Sequence, residues 1–142
     1  MRKTDVVQKL TELGKELGQK TLVCLKGDAL GGWFVADARH IKVAELKAMG
    51  LPSETLAVAL VVEDSKREKV TLNELVKKLG KYADSAVVYA EIGPLENPLL
   101  QVCSIRAGTT AEPGVVNVQM KNAIIVSAEV GSDRDSNERV AP

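Results

Sequence analysis

Leu56-Ala57-Val58-Ala59-Leu60-Val61-Val62 is followed by the charged link Glu63-Asp64-Ser65-Lys66-Arg67-Glu68-Lys69 and then by Thr71-Leu72-Asn73-Glu74. The first stretch is apolar at every position, so it has no wet face. Periodicity alone does not separate a buried helix segment from a strand covered on both sides. Seven residues flanked by turn formers fit the strand. The last stretch is a capping box: the Thr71 hydroxyl and the Glu74 carboxylate can satisfy amide donors that a helix start leaves free. Leu72, Leu75, Val76 and Leu79 then recur at helical spacing, and Gly80 ends the run.

Toward the N-terminus, residues 5–17 also read as a helix, with Val6, Val7, Leu10, Leu13 and Leu17 forming a stripe. Thr4 or Asp5 is suited to cap it and Gly18 to follow its last turn. Gly14, inside the helix, costs about 1 kcal/mol against alanine, which points to close packing against another backbone. Thr21-Leu22-Val23-Cys24-Leu25 and Trp33-Phe34-Val35-Ala36 read as two strands joined by the Gly-rich link 27–32, a β-hairpin. Residues 43–49 predict a short helix stopped by Gly50 and Pro52.

Beyond Gly80 the pattern is strand-rich, with runs at 86–92, 99–106, 115–120 and 123–130. The third alternates Val116/Val118/Met120 against Asn117/Gln119/Lys121, so one of its faces is expected to be wet. Residues 131–142 contain almost no apolar material and read as a disordered tail. The expected architecture is therefore a single α+β domain over 1–130, with two or three helices packed on a largely antiparallel sheet. The links between paired strands are too short for parallel crossovers. A self-match at a shift of about 66 positions aligns Leu13-Gly14-Lys15 with Leu79-Gly80-Lys81, Gly27 with Gly93 and Glu63 with Glu129. It suggests two pseudo-symmetric helix–hairpin halves. Similar local structures demanding similar residues would produce the same match.

The 142 residues carry nineteen Lys+Arg against nineteen Asp+Glu, a formal net charge of zero. A neutral chain has no basic excess with which to displace counterions from nucleic acid, so that partner is disfavoured. No apolar run approaches the roughly 18 residues of a membrane span, and no secretory signal is visible. A cytoplasmic location and free thiols are the expectation.

One His, two Cys and four aromatic residues leave little for metal or nucleophilic chemistry. Cys24 and Cys103 have apolar neighbours and lack zinc or redox spacing, so they read as small buried hydrophobes. His40, at a strand end, reads as a solvated side chain rather than a base. The Gly-rich link at 27–32 lacks the Gly-Lys-Ser/Thr ending of a phosphate loop and leads into a strand. Trp33 beside it is either a core anchor or the cover of a ligand. Arg39 and Arg106 end the second strands of their hairpins, and Glu63 and Glu129 lie near the ends of apolar strands. Under pseudo-symmetry they form two Arg–Glu pairs or an Arg-lined anion site; otherwise they are ordinary charges where the chain meets water.

Trp33, Arg39, Arg106, Glu63 and Glu129 are thus the candidate ligand-binding residues, with no catalytic, metal or cofactor set. The function these residues favour is a non-catalytic binding or assembly module, self-associating as a homo-oligomer, with a small or anionic ligand. The alternatives are a small enzyme using a carboxylate such as Glu63 or Glu91, or a thiol, and a structural subunit of a larger particle.

Overall fold

The computed structural model describes residues 1–26, 32–91, 99–111 and 120–129, with the Glu129 side chain excluded. Three helices, α1 (Lys3–Leu17), α2 (Val43–Ala48) and α3 (Leu72–Leu79), accompany six strands. The strands are β1 (Val23–Lys26), β2 (Gly32–His40), β3 (Ala57–Val62), β4 (Val87–Glu91), β5 (Leu99–Thr109) and β6 (Asn122–Glu129). The fold is α+β, as the sequence implies. The link at 27–31, the run at 115–119 and the tail at 131–142 lie outside the described residues.

The strands pair in chain order and close into a barrel, β6 returning to β1. The sheet is mixed, which corrects the expectation of a largely antiparallel one. The short hairpin links do give antiparallel pairs, β1/β2 and β4/β5, as do β2/β3 and β5/β6. The β3/β4 and β1/β6 pairs are parallel. Residues 63–86, with α3 among them, make the long crossover that a parallel β3/β4 pair requires. The short links constrain only the strand pairs that they join. β1 and β6, far apart in sequence, have no direct link to constrain their direction. Register shifts at Val35/Asp37 in β2 and Val102/Ser104 in β5 bend the two strands that run against the other four.

Side-chain alternation sorts the core. Val23, Leu25, Val35, Ala38, Val58, Leu60, Val88, Ala90, Leu100, Val102, Ile124 and Val126 come from all six strands and form one apolar cluster inside the ring. Val6, Leu10 and Leu13 of α1 and Leu72, Leu75 and Leu79 of α3 join that cluster. Both helices feed directly into strand starts, α1 into β1 and α3 into β4, so they close the barrel at the end where those strands begin. Outside the ring, Ala57 and Ala59 of β3 and Tyr89 of β4 pack with Leu46 of α2, Ile41 and Leu99. β3 is therefore covered on both faces, which accounts for the apolar run from Ala57 on, whereas Leu56, ahead of the strand, is exposed.

The α3 capping box forms as its sequence dictates, with Glu74 N–H donating to Thr71 Oγ1 at 3.4 Å and Thr71 N–H to Glu74 Oε1 at 3.1 Å. α1 starts differently. It begins at Lys3, ahead of Thr4 and Asp5, and has no side-chain cap. Lys3 N–H donates to Ala86 O at 2.7 Å and Thr4 N–H to Asp84 O at 3.2 Å. Backbone carbonyls leading into β4 thus replace the cap. The Lys3 ammonium is buried there, donating to Tyr82 O at 3.1 Å and Asp84 Oδ1 at 2.8 Å.

Gly14 faces α3, where an added Cβ would sit 2.5 Å from Leu72 Cδ2. Its neighbour is a packed side chain rather than backbone. Gly18, at φ 101°, occupies the left-handed region beyond α1. Among the described residues, no helix is long and apolar enough to cross a membrane.

Candidate functional site

Opposite the helix-plugged end lie the finishes of β3 and β4 and the beginning of β2. Trp33, Val61, Val62, Glu63, Asp64, Arg67 and Glu91 line a hollow of about 410 Å³ there. Because β3 and β4 run parallel, both deliver their last residues to the same rim, with Val61 opposite Glu91 in the register. Glu63 N–H donates to Phe34 O at 2.9 Å, which ties the chain leaving β3 to β2 beside Trp33.

Most polar groups at the rim are already committed. Asp64 Oδ1 accepts the amides of Lys66 at 2.7 Å and Arg67 at 2.8 Å, and Asp64 Oδ2 lies 3.4 Å from Arg67 Nη1. The amide of Lys66 is the main cause that holds the Asp64 carboxyl below its ordinary value. Glu91 turns toward Arg39 on β2, accepting from Nη2 at 2.9 Å and Nε at 3.3 Å. Glu63 has no side-chain hydrogen bond or ion pair among the described residues.

Arg39 spends its whole guanidinium on the fold. Nη1 and Nη2 donate to the two oxygens of Glu45, each at 2.8 Å, and Nη1 also reaches His40 O at 3.0 Å. With the two bonds to Glu91, all five N–H donors are used. The arrangement pins α2, through Glu45, against the outer face of β2–β4. Hydrogen bonding to Arg39 is the largest cause that holds the Glu45 carboxyl at about 2, and the amide of Lys42, 3.0 Å from Glu45 Oε1, adds to it.

Trp33 and Glu63 therefore share the hollow, and Arg39 adjoins it only through Glu91. Arg106 lies exposed on β5 and donates to Ala107 O at 3.2 Å. In the ring, β5 stands three strands from β2, so Arg106 and Arg39 occupy opposite walls. Glu129 ends β6, opposite Gln101 in the register, and β6 is likewise three strands from β3, which Glu63 follows.

Sequence reasoning missed Glu45 as the partner of Arg39, because a strand residue and a helix residue meet only after folding. It also passed over Asp64 and Arg67. Their Asp-x-x-Arg turn was readable, since an aspartate commonly accepts the amides two and three residues on.

Cys24 is fully buried on the outer face of β1 with Phe34, Ala123 and Ile125. Burial, and then the charge of Glu63, push its thiol up to about 11, so it stays protonated at neutral pH and is a poor nucleophile. His40 is exposed and meets the Tyr82 ring edge-on at 4.5 Å, while Tyr82 OH donates to Ala38 O at 2.9 Å. Among the described residues, no three His, Cys, Asp or Glu side chains gather as a metal ion would need. The rim sets an aromatic ring, two valines and charged groups around the hollow. No protein-family model, curated protein or solved structure matches the chain.

Proposed function

We propose that this chain is a non-catalytic binding module that holds a small ligand in the hollow where the parallel strands β3 and β4 finish. The observation that carries the reading is that Trp33 and Glu63 line one hollow of about 410 Å³ there. Barrel mouths and the carboxyl ends of parallel strands are where such folds ordinarily receive ligands. Two groups that chemistry could use are committed elsewhere: the Cys24 thiol is buried and Arg39 is saturated by Glu45, Glu91 and His40 O.

Two pseudo-symmetric halves, α1–β1–β2–β3 and α3–β4–β5–β6, belong to the same proposal. The shift of about 66 residues carries α1, β1, β2 and β3 close to α3, β4, β5 and β6, while α2 has no counterpart among the described residues. The parallel contacts β3/β4 and β6/β1, and the register shifts in β2 and β5, fall at corresponding places. Self-association is also retained, with a changed route. Each described strand has a neighbour on both sides, so a partner copy would meet a face and not an edge.

Native mass spectrometry of the purified protein, repeated after denaturation, tests both parts. A bound small mass that denaturation releases, and that Val62→Trp abolishes by filling the hollow, is the expected result. A bare chain mass, with Val62→Trp changing nothing, contradicts the binding reading. A monomer across micromolar concentrations contradicts self-association.

A further inference from the structure

Resting on that reading, we infer that the hollow recognises a ligand carrying an organic cation, an ammonium or guanidinium group on an apolar body, and not the anion that the arginines suggested. Among the described residues, the formal charges on its walls are three carboxylates, Glu63, Asp64 and Glu91, against one guanidinium, Arg67. An incoming anion would need a cation with donors to spare. Arg67 keeps donors beyond its Nη1 contact with Asp64, but it stands among three carboxylates that repel an anion. Arg39, behind Glu91, has none left, because its five N–H groups go to Glu45, Glu91 and His40 O.

An incoming cation meets the opposite situation. The oxygens of Asp64 and Glu91 accept from Lys66, Arg67 and Arg39, whereas the Glu63 carboxylate has no such side-chain partner among the described residues. Glu63 is half-buried, so a charge-assisted hydrogen bond to it gains over one in open water. Its negative charge also reaches the Cys24 thiol on the outer face of β1 and helps keep it protonated. Trp33 supplies both an apolar wall and a π face, the best side-chain surface for a cation beside a hydrocarbon. A bare metal ion would leave that ring and Val62 unused.

Trp33 is the single tryptophan of the chain, so its fluorescence reports on this hollow directly. Titration with cyclohexylmethylammonium, cyclohexylmethanol and cyclohexanecarboxylate compares a cation, a neutral and an anion on one apolar body. Saturable change with the ammonium at about ten-fold lower concentration than with the other two is expected. Glu63→Gln, shown to be folded by circular dichroism, should remove that preference. Equal binding of all three, or preference for the carboxylate, overturns the cation inference while leaving the hollow a binding site. A preference that survives Glu63→Gln also overturns it. No response of Trp33 to any of the three overturns the binding reading itself.

Discussion

The two ends of the barrel are built from different materials. Where β1 and β4 begin, Leu10 of α1 and Leu72, Leu75 and Leu79 of α3 fill the ring and are at most 1% exposed. Where β3 and β4 finish, Trp33 and Val62 are only half-buried, and Glu63, Asp64, Arg67 and Glu91 surround a hollow. One end thus seals the core by apolar burial, and the other keeps the polar groups a ligand would need. Stability should be concentrated at the first and recognition at the second.

The sharpest way to break that contrast is to truncate the plug. Leu75→Ala removes a fully buried side chain between α3 and the ring and is expected to cost about 2–5 kcal/mol, read by urea denaturation. Next comes Arg39→Gln, which frees α2 on the outer wall. Its bonds are bidentate but partly solvated, so about 1–2 kcal/mol at neutral pH is expected. The pH dependence has a definite sign. The Glu45 carboxyl sits at about 2 in the folded chain against an ordinary 4.5, so its share of stability is present above that ordinary value and is lost as pH falls toward 2. The gap between the parent protein and Arg39→Gln should therefore narrow over that interval. A gap that widens there would show that Glu45 is not the group being lost.

Gly14→Ala should cost about 1 kcal/mol. The helix gains from alanine, but the new methyl collides with Leu72, which is nearly fully buried and has little room to yield. The smallest effect belongs to the open rim. Glu63→Gln should change stability by less than about 0.5 kcal/mol, because no side-chain hydrogen bond or ion pair among the described residues depends on it. A large loss there would show the rim to be part of the core and would erase the contrast.

Which parts of this molecule were legible in the sequence follows from the range of the forces involved. Thr71, Glu74 and the Leu72/Leu75/Leu79 stripe act within one helix, and α3 forms as they dictate. The apolar run ending at Val62 is a covered strand, as its lack of alternation implies. The start of α1 was misread because its cap comes from Asp84 and Ala86, some eighty residues away. Barrel closure was invisible for the same reason, since no local pattern states that β1 will lie parallel to β6. At the site, Trp33 and Glu63 were singled out and do meet in one hollow. Arg39 was singled out too, but its partners Glu45 and Glu91 come from different elements and consume it.

Closure of the ring leaves no free edge among the described strands. The β1/β6 seam tests it most directly. Nuclear Overhauser contacts between the backbones of Cys24 and Ile125 and of Leu25 and Val126, in the pattern of a parallel pair, are expected in the purified protein. Their absence, with the β1 amides facing β6 exchanging like those of a free edge, would contradict the closed barrel.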